Sequence, residues 1–250
     1  MKKLHNIDVL YSLLYVNNEH LNSLAQEKIF SNILNFVPID NVSSIDRHKI
    51  DRFCIDILAK IRQNVECFIL EPVSMKRILL AADYPNLTEL KLFNFDKVAL
   101  NYFTNESPLR YIFEEKITKL TIENNDPYYR IGSLDNYNRN VYQHILKFFK
   151  NLKHLSIIGT LDPSYPHQTL SICDSSSTAF FSLTLTYLCI NVYTLDDCLY
   201  LLDGRLKQLT TFIIRISIMG KSLSIIHNMD DLPNLKCFSF KCCRPIDKYD

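Results

Sequence analysis

Large apolar residues in this chain fall neither every three to four positions nor strictly every second one. In the stretch YPNLTELKLFNF the leucines stand at 87, 90 and 92, so the spacing passes from three to two within a few residues. A helix repeats at about 3.6 and a strand at about 2. The hybrid describes one apolar residue that packs as the chain enters a short strand, then two that point inward from that strand. The rhythm occurs seven times: Val65-Phe68-Leu70, Leu87-Leu90-Leu92, Ile117-Leu120-Ile122, Leu152-Leu155-Ile157, Leu185-Leu188-Ile190, Leu209-Phe212-Ile214 and Leu235-Phe238-Phe240. Successive copies begin 22, 30, 35, 33, 24 and 26 residues apart.

Helical patterns lie between the copies, at Ser74 to Ala82, Asp96 to Phe103, Asn140 to Phe149 and Leu195 to Leu202. Strands joined by helices run parallel, because each connection must cross back over the sheet. A single strand and helix cannot bury its apolar face, whereas stacked units share one core. The pattern therefore predicts an α/β solenoid of about seven parallel strands over residues 64–250, with helices on the outer face. Residues 1–34 read as an all-helical cap, with Asp8 placed to begin a helix. Ser44 to Gln63 has apolar residues at 50, 53, 54, 57, 58 and 61, a helical stripe, and the segment 35–63 is expected to be a helical linker.

Composition narrows the function. Of 250 residues, 47% are hydrophobic and 22% charged, with a formal net charge of +1, so neither nucleic acid nor an anionic membrane is an expected partner. The eight cysteines contain no Cys-x-x-Cys and read as reduced, mostly buried thiols. Val9 to Val16 imitates a signal core, but His5, Asn6 and Asp8 interrupt its approach and no small-residue cleavage site follows. Ser175 to Leu195 carries no charge, yet it is rich in Ser, Thr and Asn, so it reads as a polar loop entering a strand and not as a membrane span. The expected location is intracellular, in the cytoplasm, the nucleus or both.

Enzyme signatures fail on inspection. The chain has four glycines, and the Gly220-Lys221-Ser222 ending of a phosphate loop lacks its earlier glycine, which would stand where Arg215 does. No histidine pair has metal-ligand spacing, and Cys237, Cys242 and Cys243 lack a second half for a zinc site. His154 and Cys189 would lie diagonally on adjacent strands, but no oxyanion donor or orienting third residue accompanies them. No catalytic residue, cofactor or metal is assigned, and a non-catalytic protein is expected.

The segments PNLTELKL, FKNLKHLSI and LPNLKCFSF resemble the repeats of leucine-rich-repeat proteins. That family closes each triplet with Asn or Cys; Asn125 and Cys243 fit, while Val73, Phe95, Thr160, Tyr193 and Ser217 depart from it. Such degenerate repeats resemble those of intracellular F-box proteins. The N-terminal LHNIDVLYSLLYVN resembles the second half of an F-box, with Leu4, Asp8, Val9, Leu10, Leu13, Leu14 and Val16 at matching positions and Leu24-Ala25 where the motif closes. The motif's Leu-Pro-x-Glu opening helix and its Trp have no counterpart here.

The resemblance implies that those N-terminal residues bind a Skp-type adaptor of an SCF ubiquitin ligase while the repeats hold a protein substrate. The alternative is a stand-alone repeat scaffold that recruits no ligase. In either case the residues flanking the inward slots face a groove. Phe93, Lys119, His154, Tyr187 and Arg215 are the candidate substrate contacts there, and Cys67, Ser156, Cys189 and Asn191 share their face. Two long insertions, 124–140 and 159–178, add the aromatic contacts Tyr128, Tyr129, Tyr137 and Tyr165.

Overall fold

A computed structural model describes residues 6–14, 16, 18–37, 45–95, 101–104, 106–124, 145–146, 148–159, 182–202, 204–217 and 232–242. The chain is α/β. Its strands are β1 (Ile33–Asn35), β2 (Cys67–Leu70), β3 (Glu89–Phe93), β4 (Lys119–Asn124), β5 (His154–Gly159), β6 (Tyr187–Val192), β7 (Thr211–Ile216) and β8 (Cys237–Cys242). β1 to β3 lie within residues 1–112 and β4 to β8 within residues 113–250, and in each set neighbouring strands pair in chain order. Two compact units divide the chain, Met1–Ile112 and Phe113–Asp250.

In the first unit, β1, β2 and β3 pair in parallel, with Leu34 opposite Phe68, Phe68 opposite Leu90 and Leu70 opposite Leu92. In the second, Leu120 faces Leu155, Leu155 faces Leu188, Leu188 faces Phe212 and Phe212 faces Phe238. The middle slots of the sequence triplets thus align across each unit's parallel strands, and the third slots do the same two residues on. All three slots of the first six copies are at most 5% exposed. The last copy differs, because Phe238 is 48% and Phe240 39% exposed on β8.

The alignment is fixed where each strand begins. The carbonyl of Asn32 accepts the N–H groups of both Glu66 and Cys67, and that of Glu66 accepts those of Thr88 and Glu89. In the second unit the carbonyls of Thr118, Lys153, Thr186 and Thr210 each accept two consecutive N–H groups from the following strand's entry, at 2.8–3.1 Å. Side chains reinforce these corners. The asparagine before a triplet donates through Nδ2 to the turn of the preceding unit: Asn64 to Gln26 O at 2.6 Å, Asn86 to Gln63 O at 2.6 Å, Asn151 to Glu115 O at 3.1 Å and Asn234 to Lys207 O at 2.9 Å. Thr184 does the same with its hydroxyl, to Leu152 O at 2.7 Å. Donors are needed there because the carbonyls that end a helix or turn have no partner within it.

Three features depart from expectation. An eighth strand, β1, lies where the helical cap was expected to end, and its triplet reads Ser31-Leu34-Phe36, each at most 2% exposed. Ser31 can fill an apolar slot because its hydroxyl donates to Glu27 O and accepts from Asn64 Nδ2, both at 2.9 Å. Second, the helix expected as a linker is the crossover between β1 and β2. It runs as α4 (Arg47–Arg52), a π-helical stretch (Phe53–Leu58) and α5 (Ala59–Ile61). Its expected stripe, Ile50, Phe53, Cys54, Ile57, Leu58 and Ile61, is buried throughout. Third, Asn101–Thr104, at the end of the helix expected over 96–103, is a turn, with residues 96–100 outside the described ones.

Preceding β1 are α1 (Asn6–Leu14), α2 (Glu19–Ala25) and α3 (Lys28–Ser31), and α6 (Pro72–Leu79) joins β2 towards β3. Pro72 opens α6 at a position where no N–H partner is lost. In the second unit α7 (Leu195–Leu201) begins with a capping box: Thr194 Oγ1 accepts from Asp197 N at 3.3 Å, and Asp197 Oδ2 accepts from Thr194 N at 2.9 Å. The helix expected over 140–149 is described at Ile145, Leu146 and Phe148.

Candidate functional site on the strand face

Period-two alternation sends the residues between the buried slots to the opposite face of the sheet. On the second unit they form rows. Lys119 pairs with His154, His154 with Tyr187, Tyr187 with Thr211 and Thr211 with Cys237. Three of the expected contacts, Lys119, His154 and Tyr187, are therefore neighbours in one row, all half-buried. Arg215 lies on the same face two rows on, opposite Asn191 and Lys241. Phe93 is half-buried on β3 of the first unit, beside a Lys91–Glu89 ion pair at 3.4 Å.

The centre of the row is an aromatic platform. His154 and Tyr187 stack face to face, with ring centroids 3.8 Å apart and planes within 5° of parallel. In-register parallel pairing places the two Cα atoms directly opposite, which lets the rings overlap. Burial pushes the Tyr187 phenol above its usual range, and the adjacent Cys189, both by its charge and by a side-chain hydrogen bond to the phenol, pushes it further, as does Cys237; Arg215 opposes the shift. Tyr187 therefore keeps a neutral hydroxyl at neutral pH against the face of the His154 ring, with Lys119 on the other side of His154 in the row. The platform suits stacking and hydrogen bonding with a planar side chain or peptide unit.

Part of the expected groove is closed. Cys67, Ser156, Cys189 and Asn191 share the outward face, yet they are 2%, 7%, 5% and 1% exposed. Alternation fixes which side a residue takes; it does not fix how deep it lies. The small side chains of Ser156 and Cys189 lie in the row next to the His154 and Tyr187 rings and do not reach as far out from the sheet. Cys189 is paired in register with Ser156, while His154 is stacked on Tyr187.

The remaining expected contacts divide in two. Tyr128, Tyr129, Tyr137 and Tyr165 lie outside the described residues, as do Leu4 and most of the insertions 124–140 and 159–178. On α1, Leu10 is fully buried, Val9, Leu13 and Leu14 are half-buried, and Val16 just beyond it is 44% exposed. Asp8 is ion-paired with Lys49 of α4. Sequence reasoning missed Asn94, which adopts the left-handed conformation (φ 51°) after β3 and donates to Glu71 Oε1 at 3.3 Å. It closes that turn one residue before Phe95, the position read as lacking a turn asparagine.

Among the described residues no group of three or more His, Cys, Asp or Glu side chains could hold a metal ion, and no helix is long and apolar enough to cross a membrane. In comparison with known proteins, no family model matches the chain and no curated protein sequence matches it.

Proposed function

We propose that this chain is a non-catalytic protein-recognition module of F-box and leucine-rich-repeat ancestry. In this reading the parallel strands belong to a leucine-rich-repeat solenoid, and the His154–Tyr187 platform with Lys119 and Arg215 contacts a protein substrate. The single observation that carries the reading is the in-register alignment of apolar triplets on successive parallel strands, with the entries to β2, β3, β5, β6 and β8 reinforced by an asparagine or threonine side chain. Repetition of one short unit with a free strand face is a design suited to extended protein surfaces.

As the adaptor of an SCF-type ligase, the chain would dock a Skp-type protein through the α1 surface that includes Val9, Leu13, Leu14 and Val16. A stand-alone scaffold is the second reading, and a specific observation favours it. Leu10 is fully buried and Asp8 is engaged by Lys49, as befits a cap over the first strand. Size-exclusion chromatography of the chain with a purified Skp-type adaptor separates the two. An equimolar complex that disappears with Leu13→Asp supports the ligase adaptor, and its absence at high micromolar concentration leaves the scaffold. Quantitative cross-linking of the wild type against His154→Ala/Tyr187→Ala tests the recognition face: partners captured equally by both would remove it.

A further inference from the structure

The first unit carries a second surface of different character on its helices. A cleft of about 480 Å³ lies beside α6, lined by Arg47 and Ile50 of α4, by Tyr102, and by Val73, Lys76, Arg77 and Leu80 along α6 and its C-terminal end. Those four residues follow the spacing i, i+3, i+4, i+7, so they form one stripe along the helix. Its opposite side, Met75, Ile78 and Leu79, is at most 1% exposed and fills the core. The outward stripe reads apolar, basic, basic, apolar, and its two ends, Val73 and Leu80, are 65% and 45% exposed.

The electrostatics are one-sided. Three cations line the cleft, Arg47, Lys76 and Arg77, and no carboxylate does. Arg77 Nε meets Asp51 Oδ1 at 2.9 Å, which fixes the guanidinium at the cleft's edge. Among the described residues neither Arg47 nor Lys76 makes an ion pair. With Arg77 compensated by Asp51, Lys76 on α6 and Arg47 on α4 leave two positive charges at the cleft that a bound anion would offset.

We propose that this stripe docks an acidic segment of a partner protein whose two apolar side chains, about two helical turns apart, bracket paired carboxylates. The carboxylates would meet Arg47, Lys76 and Arg77, and the apolar side chains would cover Val73 and Leu80. A small amphiphilic anion is a poorer occupant, because a site for one buries most of its ligand, whereas the two apolar ends here lie open. Helix-in-groove recognition uses this same i, i+3, i+4, i+7 set of anchors. The surface is independent of the strand-face platform.

Fluorescence anisotropy with a labelled twelve-residue probe peptide, two leucines seven positions apart and glutamates at the third and fourth positions between them on an alanine background, tests the proposal. The expected result is saturable binding that weakens with salt, falls about tenfold when the glutamates become glutamines, and falls similarly when the leucines become alanines. Arg47→Glu/Lys76→Glu should abolish it and the milder Arg47→Ala/Lys76→Ala should weaken it, both with unchanged far-ultraviolet circular dichroism. His154→Ala/Tyr187→Ala should leave it unaltered, which keeps this test separate from the recognition reading above. Equal binding of the glutamate and glutamine peptides, or binding indifferent to the Arg47 and Lys76 substitutions, would overturn the proposal. So would octyl phosphate displacing the probe with higher affinity than the unlabelled peptide, which would assign the cleft to a small anion.

Discussion

The corner clamp at Asn64 can be tested by Asn64→Asp, which keeps the side chain's shape and replaces its two amide donors by an oxygen. In the native protein Nδ2 donates to Gln26 O at 2.6 Å and to Ser31 Oγ at 2.9 Å, and the Ser31 hydroxyl is committed to Glu27 O. Two hydrogen bonds are lost, each contributing about 0.5–1.5 kcal/mol net, and an anion is left facing two acceptors, one of them on the fully buried Ser31. The expected loss is roughly 2–4 kcal/mol, against about 1–3 kcal/mol for Asn64→Ala, which removes the donors without adding the repulsion. Equilibrium urea unfolding at pH 7 measures both, with an unchanged m-value as the check that only stability has moved. The introduced carboxyl has a further signature. Acceptors around it raise its folded pKa above the unfolded value, so the native state binds the proton more tightly and the deficit should shrink as pH falls through that folded pKa. An Asp variant within about 0.5 kcal/mol of the wild type, or more stable than the Ala variant, would refute the clamp.

The remaining expectations concern the helix cap and the buried thiols. Thr194→Ala removes the capping box of α7 and should cost about 1–2 kcal/mol, with hydrogen exchange rising over Leu195–Leu201 while β5 stays protected. Burial foremost pushes the Cys54 and Cys198 thiols up to about 11, with Asp51 and Asp197 respectively adding to the shift and Arg77 opposing it at Cys54. Because the folded pKa lies above the unfolded one, the stabilisation from the neutral thiols is fully present below about pH 8.5 and is lost as pH rises to 11. Thermal melts should therefore decline across that interval, by roughly 3 kcal/mol of stability for each thiol, and Cys54→Ala/Cys198→Ala should flatten the decline.

Much of the sheet was legible because its signal is local. Three apolar slots within six residues specify a strand entry and two inward side chains, and the same offset in each copy specifies the register. Thus Leu90 faces Phe68, and Phe212 lies between Leu188 and Phe238. The strand β1 escaped because its first slot is Ser31, a polar residue whose burial depends on Asn64, 33 positions away. No window along the chain contains both partners. A serine followed by apolar residues three and five positions later is the signal that could have found it. Depth on the strand face was also illegible. Alternation assigned Cys189 and Asn191 to the same side as Tyr187, but only the three-dimensional neighbours determine that the first two are covered and the third is half-open. The basic stripe of α6 was hidden for a related reason: its two cations become a charged surface when Arg47 arrives from another helix. The turn residue falls one position before Phe95, because the family's closing Asn or Cys stands at a fixed count after the triplet whereas this chain turns where its asparagine, Asn94, stands.

The doubly accepting carbonyl at the entries to β2, β3 and β5 to β8 makes the spacers before those strands interchangeable. Whatever path the chain takes after one strand, the next is brought back to the same starting phase by two N–H groups on one oxygen. Within the second unit, segments of unequal length separate strands that pair without any slip in register. Length is thereby decoupled from alignment, so such spacers can accumulate residues, or receive a grafted peptide, while the strands downstream keep their partners. A protein assembled in this way can alter what it displays along its margin without renegotiating its interior.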